Sequence, residues 1–473
     1  MYRRKVIIMN FLSKKALVRH KKSVFTSLLL LLFLSLALTS CKDTNSSNLT
    51  FTELDPTDLH PLTFWVATDT HFLDKKLQDG GTAFQKYVTG GDGKMLPYSD
   101  EILETLVYDT EQQKPDFLIL SGDLTNNGER SSHQELTQKL KRIEAQGTSV
   151  YVIPGNHDLF NPWARSFSGD KQLVTDSITD KDFTKMYENF GYKEAVSRDK
   201  ESLSYIVKAA PNLWLLMIDS SQYHNNQKYG FPQTDGRLTA STLSWIDNSV
   251  KLAAKEHASV LTVMHHNLLS HTSMSVSGFK LNNSQETIKL LRENELNLVL
   301  SGHIHMQDIR VDPATSSEVM PIYDIATSAM AVYPHQNGAM TFDPLNRTVN
   351  YEAMPLNVEG WAKANGITDQ NLLNFKTYAE DIFATNSYNK AMDGLKESSF
   401  TQSEKASMAE VMAKLNVRYF AGTAGSSSED IKAMSGYKLW EGLQEGFLGG
   451  YIQSMTEDKE LSNIALEVVL TKQ

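Results

Sequence analysis

Residues 117–123 are FLILSGD, a short run of large apolar side chains that stops at a glycine and an aspartate. Such a run is typical of a buried strand. Four further apolar runs are followed directly by polar residues: TFWVATDTH (63–71), SVYVIPGNHD (149–158), SVLTVMHH (259–266) and NLVLSGHIH (297–305). The C-terminal ends of strands in an open α/β sheet converge on one crevice, where ligands bind. We therefore expect these polar residues to gather in one place.

Strand and helix patterns alternate through the rest of residues 62–355. Further strands are predicted at 203–207, 213–218, 322–326 and 347–353. Helical periodicity is found at 99–113, 131–146, 239–256 and 284–294. This alternation favours an α/β fold in which helices cover the faces of the sheets.

The residues after the strands share one chemical property, since all offer oxygen or imidazole donors to a metal. They are Asp69, His71, Asp123, Asn156, His265, His303 and His305. Such donors suit manganese, iron or zinc. Two cations roughly 3.5–4 Å apart can clamp a phosphate and lower the pKa of a water between them, and a carboxylate can bridge the pair. Gly122, Gly155 and Gly302 stand beside the ligands, as expected of tight strand-to-loop turns.

The motifs D-x-H (69–71), G-D (122–123), G-N-H-D (155–158), H (265) and G-H-x-H (302–305) resemble, in this order, the calcineurin-like metallophosphoesterase family. The resemblance covers about residues 62–355 and implies an α/β/β/α sandwich with two divalent or trivalent metal ions. It implies that one metal is held by Asp69, His71, Asp123 and His305. Asp123 would bridge to the second metal, which is also held by Asn156, His265 and His303. His157 would lie by the leaving group without binding metal.

The subgroup is indicated by smaller details. G-N-H-D, in place of G-N-H-E, is similar to class III cyclic nucleotide phosphodiesterases and glycerophosphodiesterases, and the segment GDLTNNGE (122–129) also resembles this phosphodiesterase subgroup. Purple acid phosphatases need a tyrosine at the position of Asn126, which argues against them. Asn126 is instead a candidate contact to substrate phosphate, with a turn cap as the alternative. Relatives often have proline where this chain has Asn267, so the motif leaves open whether His265 or His266 binds metal.

The expected reaction is in-line attack of a metal-bridging hydroxide on phosphorus, with His157 donating a proton to the departing alkoxide. Asp158 is expected to orient His157 through its second ring nitrogen. The subgroup resemblance, together with the N-terminal segment described below, predicts a phosphodiesterase that hydrolyses cyclic nucleotides or small phosphodiesters outside the cell. Trp163, Phe167 and Tyr223 are candidates for stacking on a nucleobase, although core or loop anchors are the commoner role of such residues.

Two other functions remain open. A phosphomonoesterase uses the same residue types, and activity on bis(p-nitrophenyl) phosphate against p-nitrophenyl phosphate separates it from a diesterase. A surface lipoprotein could also bind a ligand at a metal site without catalysis. The complete ligand set and His157 argue against this last function.

The pattern changes near residue 356, and strand-like runs become rare. Amphipathic helices are predicted at 368–395, 402–421 and 451–470. We interpret 356–473 as a small, all-helical C-terminal domain. Its Met and Leu stripes are expected to form a core.

The N-terminus is predicted to be a targeting segment, a lipoprotein signal peptide. Residues 1–40 contain a basic lead and the apolar segment VFTSLLLLLFLSLAL (24–38), which suits a signal peptide and is short for a membrane span. Leu38-Thr39-Ser40-Cys41 resembles a bacterial lipobox, which implies that Cys41 is lipid-modified. Residues 41–61 are expected to be a tether. The predicted location is the outer face of the bacterial cytoplasmic membrane, reached through the lipid anchor.

The net negative charge of the chain restricts the kinds of molecule that it can bind. The chain has 46 Lys and Arg against 56 Asp and Glu, and eight of the basic residues fall within residues 1–40. The remaining chain therefore carries a net charge of about −18. Such a chain repels a nucleic-acid polymer, because binding there needs clustered cations. A small phosphoester remains a suitable substrate, since bound metal cations dominate the local field.

Overall fold

The computed structural model describes residues 60–274, 277–314, 319–424, 428–443, 446–456 and 461–471. These residues belong to one compact unit, Leu54–Gln473. The predicted signal peptide, Cys41 and nearly all of the tether lie outside the described residues. Within the described ranges, no helix combines the length and the apolar character needed to cross a bilayer.

The strands are β1 Leu62–Ala67, β2 Phe117–Ser121, β3 Ser149–Ile153, β4 Arg165–Ser168, β5 Lys171–Val174, β6 Ser197–Arg198, β7 Tyr205–Ala210, β8 Leu213–Ile218, β9 Ser259–Met264, β10 Leu298–Ser301, β11 Asp308–Asp312, β12 Ile322–Ala326, β13 Gln336–Asp343, β14 Thr348–Pro355 and β15 Ala465–Val469. The helices are α1 Thr82–Thr89, α2 Ser99–Gln113, α3 Arg130–Ala145, α4 Asp180–Met186, α5 Asn226–Tyr229, α6 Ala240–Lys255, α7 Ser284–Glu293, α8 Val358–Ala364, α9 Gln370–Leu373, α10 Phe375–Gly394, α11 Gln402–Phe420, α12 Glu429–Lys432, α13 Ser435–Glu441 and α14 Phe447–Met455.

Two sheets form the centre of the molecule. The first has the strand order β15-β14-β13-β1-β2-β3, and the second has the order β11-β12-β10-β9-β8-β7-β6. Strands β1, β2 and β3 run parallel, as do β8, β9, β10 and β12. Parallel strands end at the same edge of their sheet, so each sheet presents several strand ends side by side.

Strand β8 shows how the layers pack. Alternate side chains of a strand point to opposite faces. In β8, Leu213, Leu215 and Met217 lie in the core that also contains β1 and β2, whereas Trp214 and Leu216 pack in a second core with α6 and α7. Helices α2 and α3 contribute to the first core from the other side of the first sheet. The predicted α/β/β/α sandwich is confirmed.

The C-terminal region is mainly helical, and most of a third apolar core comes from its side chains, together with Met306. Helix α11 begins with a capping box, in which Thr401 and Glu404 exchange side-chain-to-backbone hydrogen bonds. Met408, Met412 and Leu415 of this helix are buried, so the predicted core role of the Met and Leu stripe is confirmed. The division of the chain at residue 356 into separate domains stays a prediction.

The predicted helix at 451–470 is wrong in its second half. Helix α14 ends at Met455, and Ala465–Val469 forms β15 instead. This strand pairs antiparallel with β14, with Thr348 opposite Val469. The reason is tertiary: β14 offers an unpaired sheet edge, and pairing there satisfies the backbone while Val468 is buried.

Candidate metal centre

The strand ends of both sheets meet at one crevice. From the first sheet, β1 delivers Asp69 and His71, and β2 delivers Asp123; the backbone N–H groups of Asp69 and His71 donate to the carbonyls of Gly122 and Asp123, both at 3.0 Å. From the second sheet, β9 ends at Met264 and delivers His265, whose carbonyl accepts from the N–H of Gly302 at 3.0 Å. Backbone hydrogen bonds alone therefore connect the loops that follow neighbouring strands.

The backbone of this crevice is strained. Non-glycine residues with a left-handed φ include Asp69 (50°), His71 (38°), Asp123 (48°), His303 (70°) and His305 (62°). Such conformations cost of order 1–3 kcal/mol each and persist at functional sites where the surroundings over-determine them. Five of the seven predicted ligands share this feature, which indicates that the fold holds these side chains in a direction that relaxed backbone would not give.

Two glycines make the approach of these loops possible. A Cβ at Gly155 would come within 2.2 Å of the backbone nitrogen and Oδ1 of Asp123. A Cβ at Gly302 would come within 2.0 Å of the Thr68 hydroxyl and 2.6 Å of Oδ2 of Asp69. A side chain at either position would push a predicted ligand out of place.

The predicted ligands form two adjacent clusters. One contains Asp69, His71 and His305, and the other contains Asp123, His265 and His303. Asn156 joins the second cluster, because its Oδ1 lies 3.1 Å from Nε2 of His265. The structure therefore brings together all seven residues that the sequence motifs indicated.

Asp123 lies between the clusters. Its Oδ2 is 3.7 Å from Nε2 of His71 and 3.4 Å from Nε2 of His265. Its Oδ1 accepts the backbone N–H of His157 at 2.8 Å. One carboxylate oxygen thus faces an imidazole from each cluster, which is the position of a bridging ligand.

The electrostatics keep Asp123 ionised. Burial would raise the pKa of its carboxyl, but the neighbouring imidazoles of His265 and His157 outweigh burial and hold the pKa well below its usual range. Burial would lower the pKa of His265, but the charge of Asp123 outweighs it and raises the pKa to about 9. The pocket thus places positive charge against this carboxylate.

The donor set fits two cations. The Nε2 atoms of His71 and His305 lie 3.0 Å apart, and both approach Oδ1 of Asp69, at 3.7 and 3.3 Å. A neutral imidazole pair can share one proton between two such nitrogens, whereas a metal ion takes a lone pair from each nitrogen and from the carboxylate. Imidazole and carboxylate donors of this kind suit zinc, iron and manganese.

Comparison with known proteins identifies the sandwich. The family profile described as calcineurin-like phosphoesterase matches residues 62–307, which is half of the chain. The chain belongs to this family. A second profile, described as the C-terminal domain of cyclic nucleotide phosphodiesterase, matches residues 357–461.

This calcineurin-like phosphoesterase also resembles individual proteins. A 3′,5′-cyclic-nucleotide phosphodiesterase of Nostoc sp. is 28% identical over 200 residues, which cover 42% of this chain and 59% of that protein. A probable cyclic nucleotide phosphodiesterase of Synechococcus sp. is 24% identical over 205 residues, which cover 42% and 62%. The match thus spans about six tenths of these relatives. A dimetal phosphatase from Danio rerio is 16% identical, covers 62% of this chain and 96% of its own, and has a TM-score of 0.43.

His157 of the phosphoesterase lies against the first cluster, with its ring edge-on to His71 at a centroid distance of 5.2 Å. Its Nδ1 donates to Oδ1 of Asn127 at 3.0 Å, and the Asn127 amide donates to the hydroxyl of Tyr87 at 2.9 Å. These contacts orient the ring so that Nε2 is the second nitrogen left for chemistry. Burial lowers the pKa of His157 to about 4, with Asp123 opposing and Lys94 adding to the effect.

The expectation that Asp158 orients His157 is wrong. The Asp158 carboxylate accepts the backbone N–H groups of Gly155, Leu124 and Thr125 at 2.8, 3.1 and 3.0 Å. It therefore joins the loops after β2 and β3, and burial raises its pKa to about 7. Adjacent side chains in the turn at 155–158 point in different directions, so sequence neighbourhood did not identify the partner of His157.

Asn126, the predicted substrate contact, is buried and lines the pocket beside His157. Its Nδ2 donates to the hydroxyl of Tyr87 at 3.1 Å and to Glu129 at 3.4 Å. A contact from Asn126 to substrate stays a prediction, whereas Asn127 touches His157 directly. The motif GDLTNNGE contains both asparagines, and only the loop conformation separates their roles.

The structure distinguishes the two histidines after β9. His265 lies in the second cluster, whereas both ring nitrogens of His266 are engaged elsewhere: Nδ1 with the hydroxyl of Ser220 at 2.8 Å and Nε2 with the carbonyl of Thr234 at 3.1 Å. His266 therefore supports the cluster from behind.

The three aromatic candidates lie in different environments. Trp163 is 46% exposed and lines the pocket beside His157, and its indole donates to the carbonyl of Gly230 at 3.1 Å. Phe167 is buried against Phe84. Tyr223 is buried and donates to Asp219 at 2.8 Å. Of the three, only Trp163 lines this pocket within the described residues.

Sequence reasoning missed Asn127, Tyr87 and Lys94. Tyr87 and Lys94 follow β1 in a segment without a strand-end motif, yet both line the pocket beside His157. No local signal marked them, because their approach depends on α1 and on the loop that follows it.

Proposed function

We propose that this protein is a dinuclear metal-dependent phosphodiesterase that hydrolyses cyclic nucleotides or small phosphodiesters. The observation that carries the proposal is the position of Oδ2 of Asp123, between imidazoles of two separate ligand clusters. The names of the relatives in Nostoc and Synechococcus favour cyclic nucleotides within this class.

The bound metals and the residues of the chain would have separate roles in the reaction. Two bound metals, of manganese, iron or zinc, would supply charge neutralisation and a water of lowered pKa. His157 would donate a proton to the leaving alkoxide from Nε2 when its ring is doubly protonated, since Nδ1 keeps its own proton on Asn127. An anionic phosphate beside His157 raises its pKa, because an opposite charge favours the protonated imidazole. Asp123 stays ionised, as a bridging ligand must.

The test is a substrate panel on the purified, metal-loaded protein. It contains 2′,3′- and 3′,5′-cyclic nucleotides, glycerophosphodiesters, bis(p-nitrophenyl) phosphate and p-nitrophenyl phosphate, each with manganese, iron and zinc. The proposal expects kcat/KM for diesters to exceed that for monoesters at least about tenfold. A preference for monoesters would replace it with a phosphomonoesterase. Failure on every ester would favour a non-catalytic ligand-binding protein.

We also propose that the protein acts outside the cell as a lipoprotein anchored through Cys41. The support is the lipobox-like sequence at 38–41, which directly follows the apolar segment 24–38. In the native host, metabolic labelling with a fatty acid should mark the wild type and not Cys41→Ser. Equal labelling of both, or protection of the protein from protease added to intact protoplasts, would contradict the anchor or the location.

A further inference from the structure

A pocket of about 370 Å³ opens beside His157, and the segment after α1 forms one of its walls. Lys94, Tyr87 and Trp163 line it together with His157. The side chain of Lys94 is only 9% exposed, although lysine is rarely buried. A buried ammonium in a pocket that borders a phosphoester site needs a physical reason.

The backbone around Lys94 is tied to the metal centre. The N–H of Met95 donates to the carbonyl of Ala331 at 2.7 Å, and the N–H of Ala331 donates to the carbonyl of Asp69 at 3.2 Å. Met95 and Leu96 are buried, so the segment cannot move freely. Two consecutive backbone hydrogen bonds therefore connect the position of Lys94 to a predicted metal ligand.

The charge of Lys94 is only partly neutralised. Its Nζ lies 3.2 Å from Oδ2 of Asp92, whose side chain is 54% exposed, and this is its only ion pair within the described ranges. An ammonium has three donors, and an exposed carboxylate is screened by water.

We propose that Lys94 is a further substrate-binding residue, which donates to an oxygen of the substrate phosphate from the pocket beside His157. The inference rests on the proposed function and adds a protein cation to the two metals. A hydrogen bond from a buried ammonium to a phosphate oxygen is charge-assisted and little screened. It explains why the fold keeps a lysine where an apolar side chain would bury at less cost.

The competing explanation is that the ion pair of Lys94 with Asp92 only holds the loop. The two explanations predict different effects of these substitutions on phosphate affinity. If the pair is structural, Lys94→Met and Asp92→Asn both lower stability, and neither changes phosphate affinity. If Lys94 binds substrate, Lys94→Met weakens phosphate binding, whereas Asp92→Asn strengthens it by leaving the ammonium without its neutralising partner.

The experiment measures binding of inorganic phosphate to the metal-loaded full chain by calorimetry. Lys94→Met should raise Kd at least about tenfold, the loss expected for one charge-assisted contact, and Lys94→Arg should recover part of it. Asp92→Asn should lower Kd about twofold or more. Lys251→Met is the matched control, because Lys251 is 62% exposed on α6 and pairs with Asp247; its Kd should equal that of the wild type.

Wild-type phosphate affinity in Lys94→Met overturns the proposal. If that variant does not fold, Asp92→Asn decides, and unchanged or weaker phosphate binding in it overturns the proposal equally. A wild type that hydrolyses no phosphoester defeats the proposed function, while the phosphate titration still tests Lys94. A wild type active on diesters with an equally active Lys94→Met defeats only the inference about Lys94.

Discussion

Two of the buried groups of histidine and aspartate among the described residues differ in how their charges are neutralised. At the metal centre, imidazole nitrogens of His71 and His305 face each other at 3.0 Å and approach the same oxygen of Asp69. At the other group, His271 lies between two carboxylates: Nδ1 is 3.0 Å from Asp308 and Nε2 is 3.1 Å from Asp324.

The carboxylates of the second group also have further hydrogen-bond donors from the protein. Arg310 donates to Asp308 at 2.7 Å, and Asp324 accepts the N–H of Leu268 and Leu269 at 2.7 and 2.8 Å. Each ring nitrogen of His271 has its own carboxylate, so the group is a structural ion-pair network. Residue types alone do not identify a metal site; convergence of nitrogen donors on a shared oxygen does.

The largest expected effect separates the groups most clearly. Asp123→Asn removes the charge between the two clusters, so we expect loss of at least one metal and a fall in kcat of more than about 100-fold. Elemental analysis and diester turnover measure the two effects. Two metals per molecule in this variant, with activity kept, would contradict the bridging role.

His157→Ala should lower activity by about 10²–10⁴-fold and leave the metal content unchanged, because the proposed role of the ring is to donate a proton without binding metal. The measurement is kcat with elemental analysis on the same sample. Loss of metal together with activity would show that His157 is itself a metal ligand.

For the group around His271 we expect the opposite result, which is a loss of stability without a loss of metal. His271→Ala leaves Asp324 buried without a cation and Asp308 with Arg310 alone, so the free energy of unfolding should fall by about 3–5 kcal/mol. The metal content of the folded variant should equal that of the wild type. Denaturant titration and elemental analysis give both numbers, and loss of metal with unchanged stability would reverse the assignment.

The smallest effect is a pH dependence. Burial lowers the pKa of His271, but Asp324 and Asp308 outweigh it and raise the pKa to about 9 from 6.5. A raised pKa means that the folded state binds the extra proton, so the stabilisation is complete below pH 6.5 and is lost as pH rises through about 9. The slope is at most about 1.4 kcal/mol per pH unit. It should appear in the wild type and vanish in His271→Ala; identical slopes would contradict it.

Much of the sandwich could be predicted from local pattern. The strands Phe117–Ser121, Ser149–Ile153 and Leu213–Ile218 and the helix Ser99–Gln113 have the predicted bounds, because each is marked by its own apolar periodicity. Strand β15 was missed, since five residues with two inward side chains resemble part of a helix until a partner edge is known.

The candidate metal ligands could be predicted from the sequence because few side chains bind hard or borderline metals and because strand ends converge in this class of fold. The directions of side chains beyond the strand ends were settled by the tertiary structure. It directed His265 into the second cluster and the ring nitrogens of His266 to Ser220 and Thr234. It also paired His157 with Asn127 instead of Asp158, and it placed Lys94 at the pocket. These choices depend on strained loop backbone and on hydrogen bonds between distant segments, which no window of neighbouring residues contains.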